Sequence, residues 1–397
     1  MTVDDAPAAD DGAVVIHRPY AVGFTEAPMS RPRLLSAVFV FLGSVVVPQQ
    51  AAAARDVLIV LNKAENTASL LDRATGETLA TLPTGEGPHE VATSPDGRRA
   101  YVCNYGPHGK PGRSLSVLDL VDRKVVDVWT YDGWSRPHGI VVSPGGTRLY
   151  VTSEGTQSLK VVDAADGREV ASVPLKGKIS HMVALSPATG RAFTADMLSD
   201  SITAIDLERG VVVGMAKAGK QPEGVAVTVD GREVWAGDRQ GDTLSVFDAR
   251  TLTKLATLPA PGFPIRVQPT PDGAHMLVSM AKASEVAVYS VKERKGVRRI
   301  SVDFTVVDDT DERFFGGALG PSAGPVGLVI APDGAEAFVA CVNADRVAAI
   351  DLATWKISRV LKAGREPDGL ALAAVPLAPT EAPEAAASRA TTRPDGG

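Results

Sequence analysis

From residue 56 to about residue 375 the chain is written as short apolar runs, each closed by a polar turn. DVLIVLN (56–62), AYVCN (100–104), SLSVLDL (114–120) and RVAAIDL (346–352) are too short for helices and rich in β-branched residues, so they read as strands. In GPHEVATSPDGRRAYVCN (87–104) two such runs are joined by Ser-Pro-Asp-Gly, where proline presets φ and glycine accepts a positive φ. The same turn returns as TPDG (270–273) and APDG (331–334). Strand, tight turn, strand is the repeating unit.

The unit has a period. Aligned on the residue ahead of the first strand, the anchors are Pro88, Pro137, Ser180, Pro222, Pro264, Pro325 and Pro367, spaced 49, 43, 42, 42, 61 and 42 residues apart. Thirteen residues beyond an anchor comes Tyr101, Tyr150, Phe193, Trp235, Leu277 or Phe338, in a second strand. Twenty-six beyond comes Asp163, Asp206, Asp248 or Asp351, with Ser290 in one repeat and Asp119 delayed by an insertion of five. Side-chain bonds to the following turn account for these aspartates without chemistry. A period near forty residues with short strands indicates propeller blades. The seventh repeat stops after PDGLALAA, and residues 56–82 supply Ile59 and Asp72 at the spacing of its missing strands. The expectation is an all-β, seven-bladed β-propeller over residues 55–375, its last blade closed by strands from both termini, which removes open sheet edges.

The ends read differently. Residues 1–28 lack apolar periodicity and precede Met29, so they are expected to be a non-native or disordered leader. Residues 29–54 carry a basic stretch, an apolar run over 34–47, Pro48 and an alanine cluster, the layout of a signal peptide cleaved near Ala53 or Ala54. The mature protein is then expected to lack a transmembrane span and to be periplasmic or extracellular. Residues 376–397 are rich in Pro, Ala and Thr and are expected to be disordered.

Composition narrows the partners. A hydrophobic content of 44% with 38 Gly and 28 Pro suits a large all-β core, and a net charge of -6 shows no basic excess of the kind that would hold a polyphosphate backbone, so nucleic acid is not expected as the main partner. The two cysteines, Cys103 and Cys341, fall on second strands of blades 1 and 6, too far apart for a disulfide, and are expected to be buried thiols. No C-x-x-C-H, G-x-S-x-G, P-loop or H-E-x-x-H motif occurs, which disfavours covalent haem and serine-type hydrolysis.

The repeats SPDGRRAYVCN, SPGGTRLYVTS and APDGAEAFVACVN, followed by SLSVLDL, SLKVVDA and RVAAIDL, resemble the YVTN-repeat β-propeller family, which is WD40-like and includes periplasmic YncE-like proteins. The resemblance covers the whole mature region and implies architecture and export. Relatives of this shape include binding proteins, lactonases and lyases, so it leaves activity open.

Candidate chemistry gathers where blades meet. The residues just after the anchors ring the channel mouth in the order His89, His138, His181, Glu223, Ile265, Val326 and Asp368, and the three histidines are half of the six in the chain. Three imidazoles flanked by carboxylates suit a divalent transition metal (Zn, Cu, Ni or Fe), and an open fourth position would allow Lewis-acid chemistry. Two alternatives stand beside this: a polar small-molecule site without metal, and a wet channel lined by bonded side chains. Arg266, one position further along its strand, binds a carboxylate or phosphate or pairs with Glu223.

The insertion YGPHGKPGR (105–113) brings His108 and Lys110 to the same face. The connection over 303–324, with Asp308, Asp309, Asp311 and Glu312 beside Phe314 and Phe315, is a lid or a solvated acidic loop. Tyr131 and Trp134 stack on a ligand or cover a blade edge. Asn62, Asn104, Glu154, Asp196, Asp238 and Asn343, at second-strand tips, are turn residues first. Two functions follow: an exported module binding a metal, small molecule or partner protein through His89, His138, His181, Glu223, Arg266 and Asp368, which is preferred, or a metal-dependent lactonase or lyase using Glu223 or Asp368 as base.

Overall fold

The computed structural model describes residues 54–313, 315 and 317–377. The expected leader, nearly all of the expected signal peptide, Phe314 and the tail from residue 378 onward lie outside the described residues. What is described is seven four-stranded antiparallel sheets, as the period requires. Blade 1 contains Pro88–Thr93, Arg99–Asn104, Ser114–Asp119 and Lys124–Thr130, and blades 2 to 6 repeat that order from each later anchor. Blade 7 is composite. Its innermost strand, Pro367–Pro376, pairs with Ala54–Asn62 from the start of the ring, with Ala54 opposite Pro376 and Asn62 opposite Pro367. Ala54, expected at the end of the signal segment, and Pro376, expected to begin the tail, are therefore strand residues.

Local chemistry explains the regular turns. Gly97, Gly273 and Gly334 in the Pro-Asp-Gly turns have φ of 69°, 70° and 70°, where a side chain is strained. Asp72 Oδ1 accepts from the Ala74 and Thr75 amides, Asp119 from Val121 and Asp122, and Asp248 from Arg250 and Thr251. The recurrent aspartates thus cap turns far from the channel.

Blades pack face to face through the second and third strands, where Tyr101, Phe193, Trp235, Phe247 and Phe338 are fully buried. Truncating such an aromatic typically costs about 3–5 kcal/mol, more than the roughly 1 kcal/mol of one hydrogen bond, so apolar packing holds neighbouring sheets together. The outermost strands alternate instead: along Val211–Lys217 every second residue faces solvent. Cys103 and Cys341 are both unpaired and buried, as expected. Among the described residues no helix is long and apolar enough to cross a membrane.

Candidate functional site

The site residues sit on bulges. In each innermost strand the ladder to the second strand breaks just after the anchor: pairing jumps from Pro88 to Val91, Pro137 to Ile140, Ser180 to Val183, Pro222 to Gly224 and Pro264 to Val267. His89, His138, His181, Glu223 and Arg266 fall in those breaks. A bulge bends the strand and re-aims its side chains, here toward the channel axis. Glycines then bring the blades together. A Cβ on Gly139 would lie 2.7 Å from the His181 carbonyl oxygen, and one on Gly224 would lie 2.2 Å from that of Ile265. Only glycine permits such approach, and it draws the His138 strand against the His181 strand. Thr152 Oγ1 donates to the His181 carbonyl at 2.6 Å and fixes the contact.

The three imidazoles converge. Ring centroids are 4.2 Å apart for His89 and His138, 3.5 Å for His138 and His181, and 6.3 Å for His89 and His181. One nitrogen from each lies within 4.8 Å of the others. A tetrahedral ion with N bonds of about 2.1 Å holds its ligands roughly 3.4 Å apart, so the rings need to draw in by only about an ångström. All three are buried, and His138 is completely enclosed. Neither His138 ring nitrogen has a hydrogen-bond partner among the described residues.

Carboxylates hold the outer two rings. His89 Nδ1 stands 2.5 Å from Asp368 Oδ2, which also receives Lys63 Nζ at 3.3 Å. His181 Nδ1 bonds Glu154 Oε1, whose other oxygen accepts the Tyr105 hydroxyl at 2.7 Å. A carboxylate on Nδ1 leaves Nε2 as donor to a metal, the usual outer-shell arrangement at imidazole sites. His181 Nε2 faces Glu223 Oε1 at 3.4 Å, and Glu223 Oε2 takes Arg239 at 2.5 Å. Arg266 pairs with Glu90 across the channel and with Glu223 at 3.4 Å. The expected pairing of Arg266 with Glu223 is present, and Glu90 is a second partner that the sequence reading did not name.

Burial sets the proton affinities. It pushes His138 well below the ordinary histidine range, and the neighbouring His181 and His89 add to that. For His181 burial is outweighed by Glu154 and Glu223, and the net shift is upward. Burial would raise Asp368 and Glu223, but His89 and Lys63 beside the first, and Arg239 and His181 beside the second, hold both far below the usual carboxylate range. Carboxylates so strongly stabilised as anions are weak bases, which counts against proton abstraction by either.

Above the rings lies a cavity of about 300 Å³, lined by His89, His181, Glu154, Glu223, Asp368 and Phe315 among others. Arg266 also lines it and, with Glu90, closes off a second cavity of about 290 Å³ deeper in the channel. Phe315 arrives on the 303–324 connection, which Arg313 pins through Asp309 and Asp345 and Arg365 pins through Asp309. The connection thus covers the site. Tyr131 and Trp134 do not reach it: they stack on each other at 4.0 Å and bond Gly167 and Glu169 of blade 2, covering the blade edge. Of the second-strand tips, Asn62, Asn104, Asp196 and Asp238 bond loops and neighbouring hydroxyls, while Glu154 and Asn343 lie just past the strand ends. Only Glu154 among these six lines the cavity. Sequence reading missed Lys63, Glu90, Tyr105 and Arg239 as site residues. Glu90 was legible, being the counterpart of Arg266 one position past the histidine ring; the others depend on loop course.

Residues 147–376 match the family described as the cytochrome D1 heme domain. No curated protein matches the chain. Among solved structures, hydrazine synthase of Kuenenia stuttgartiensis shares 18% identity at a TM-score of 0.62, over 78% of this chain and 99% of that one. A functionally unknown protein from Desulfotomaculum acetoxidans shares 15% at 0.66, over 80% and 98%. The dihydro-heme d1 dehydrogenase NirN, in complex with DHE, shares 17% at 0.57; the match covers 79% of this chain but 65% of that one, a little under two thirds of its length. At these identities the structures show the fold alone. The matched family is a propeller family, and not specifically the YVTN-repeat, YncE-like group that the repeats resemble. With more than half of its residues matched, the chain belongs to the cytochrome D1 heme domain family.

Proposed function

We propose that this protein is an exported propeller module that binds one divalent transition-metal ion (Zn, Cu, Ni or Fe) on His89, His138 and His181. Asp368 and Glu154 orient the outer rings, and Glu223 stands where it can complete the shell. One observation carries the reading: His138 is neutral, wholly buried and unpartnered at both nitrogens, between two imidazoles whose Nδ1 atoms are already held. Leaving a buried polar atom unsatisfied costs about 1–3 kcal/mol, a penalty that metal ligation would remove at the ligating nitrogen. A catalytic variant of the reading, with lactone or lyase chemistry, lacks a free base, since Glu223 and Asp368 are engaged by cations.

The family name raises haem, and NirN is described with a haem-type ligand. A tetrapyrrole of about forty heavy atoms calls for space well up the usual range of roughly 300–1,000 Å³ for ligand cavities. The cavity here is about 300 Å³ and Phe315 lines it. These residues do not fit a tetrapyrrole, whereas the donor set fits a bare ion.

Elemental analysis of untagged protein tests the proposal, with His89→Ala, His138→Ala and His181→Ala alongside. One metal per chain, lost in each variant, is the expected result. Metal-free protein after incubation with each of the four ions, or a stoichiometric Soret-absorbing complex after exposure to haem, would overturn it.

A further inference from the structure

A second space adjoins the metal cavity. It measures about 550 Å³ and is lined by Lys63, Tyr105, His108, Arg136, Glu312 and Glu366 among others. Tyr105 belongs to both spaces, so its ring is the partition between them. Most cations here are engaged: Lys63 is paired with Asp368, and Arg313 with Asp309 and Asp345. Arg136 differs. Its guanidinium lies over the Tyr105 ring, 4.8 Å from the centroid, and no acidic side chain pairs with it among the described residues.

The backbone presents Arg136 deliberately. Its φ is 55°, the left-handed conformation also found at Ile179, Gln221, Phe263 and Glu366 just ahead of the other anchors. Its amide donates to the Gly112 carbonyl at 2.9 Å, and its carbonyl accepts from the Glu154 amide at 3.2 Å. The backbone that carries Arg136 is thereby fixed before a ligand arrives. A guanidinium set against an aromatic ring and its hydroxyl uses part of its five-donor fork there, and the donors that remain can take an oxyanion bidentately, which a lysine ammonium cannot match.

We propose that this vestibule selects ligands carrying a carboxylate, which Arg136 binds while the remainder of the molecule passes Tyr105 toward the metal cavity. The inference rests on the proposed metal site only for what lies at the far end. It names a specificity residue outside the imidazole cluster, and it makes the substrate class an organic carboxylate small enough for the two spaces.

Benzoate, phenylacetate and glutarate, each beside its amide, can be titrated calorimetrically into metal-loaded and chelator-treated protein, with metal content measured in every sample. At least one carboxylate is expected to bind ten or more times tighter than its amide. Arg136→Asn, a residue that tolerates the left-handed backbone, should abolish the preference, and Arg136→Lys should reduce it, both with unchanged metal content. Preference retained by metal-free protein and lost in Arg136→Asn would uphold the vestibule even if the metal reading fell. No carboxylate preference in wild type, or the same preference in Arg136→Asn, would overturn it.

Discussion

The His138 and His181 rings lie 3.5 Å apart between centroids with their planes only 33° from parallel. Two imidazolium cations cannot share that separation in a buried site, so at most one of the two rings carries the additional proton that makes it a cation. The surroundings decide which ring takes it. His181 has two carboxylates on its nitrogens and His138 has none, so the proton goes to His181 and His138 stays neutral. A neutral imidazole is the form that ligates metal. The arrangement therefore holds one donor permanently ready and a second that is released by losing a proton.

Proton competition follows from that asymmetry. Because Glu154 and Glu223 raise the pKa of His181 above 6.5 against the opposing effect of burial, a metal must displace its proton at any pH below the raised value. Affinity should fall as pH drops through that value, by up to tenfold per pH unit, with one proton released per ion bound. His138, held well below 6.5, adds no competition in this range. Calorimetry in buffers of different ionisation heat counts the proton directly. A metal affinity independent of pH from about 5 to 9 would contradict the assignment.

Outer-shell carboxylates should matter nearly as much as the ligands. Asp368→Asn removes the anion that faces His89 Nδ1 and receives Lys63 Nζ, and Glu154→Gln removes the anion on His181 Nδ1. Each should weaken metal binding by about 10–100-fold while the propeller stays folded. Chelator competition followed with far-UV circular dichroism separates the two effects. Unchanged affinity in both variants would mean that the rings are not oriented by these carboxylates.

Phe315 should control access rather than affinity. It lines the cavity over the imidazoles from a connection pinned by Arg313 and Arg365. Phe315→Ala is expected to speed metal removal by excess chelator about tenfold, with equilibrium affinity changed less than about threefold. Removal kinetics equal to wild type would show that ions leave by another route.

The architecture was legible in the sequence because it is periodic. Anchors, Pro-Asp-Gly turns and capping aspartates repeat, and a repeated error would have been visible as a broken spacing. The ring of His89, His138 and His181 was legible for the same reason, since equal register implies equal position. What was not legible are contacts made once. Glu154 reaches His181 from beyond its strand, Lys63 reaches Asp368 from the other end of the chain, and Tyr105 turns inward from an insertion. The bulges were hidden as well, because each leaves the residue count between anchor and turn unchanged from blade to blade. Tyr131 and Trp134, ambiguous by composition, were decided by partners in blade 2.

Asp238 offers a test of stability that is independent of the metal. Its Oδ2 accepts from Thr243 and Ser245 at 2.9 and 2.8 Å, while Oδ1 is buried without a partner among the described residues. Burial outweighs those hydrogen bonds and pushes the carboxyl up to about 6. Between the unfolded value near 3.9 and that folded value the folded protein binds more protons, so stability falls as pH rises across the window and stays lower above it. Two pKa units correspond to about 2–3 kcal/mol at neutral pH, taken as an upper bound. The corresponding residue of blade 1 is Asn104, which accepts from the Gly85 amide and donates to Ser114 and Ser116 in the same geometry. Asp238→Asn should therefore fit without strain. It should stabilise the protein by about 1–3 kcal/mol at pH 8 and by a few tenths at most at pH 4, read from denaturant unfolding at both values. A variant less stable than wild type at pH 8, or a difference that does not change with pH, would show that the buried charge is not what this position costs the fold.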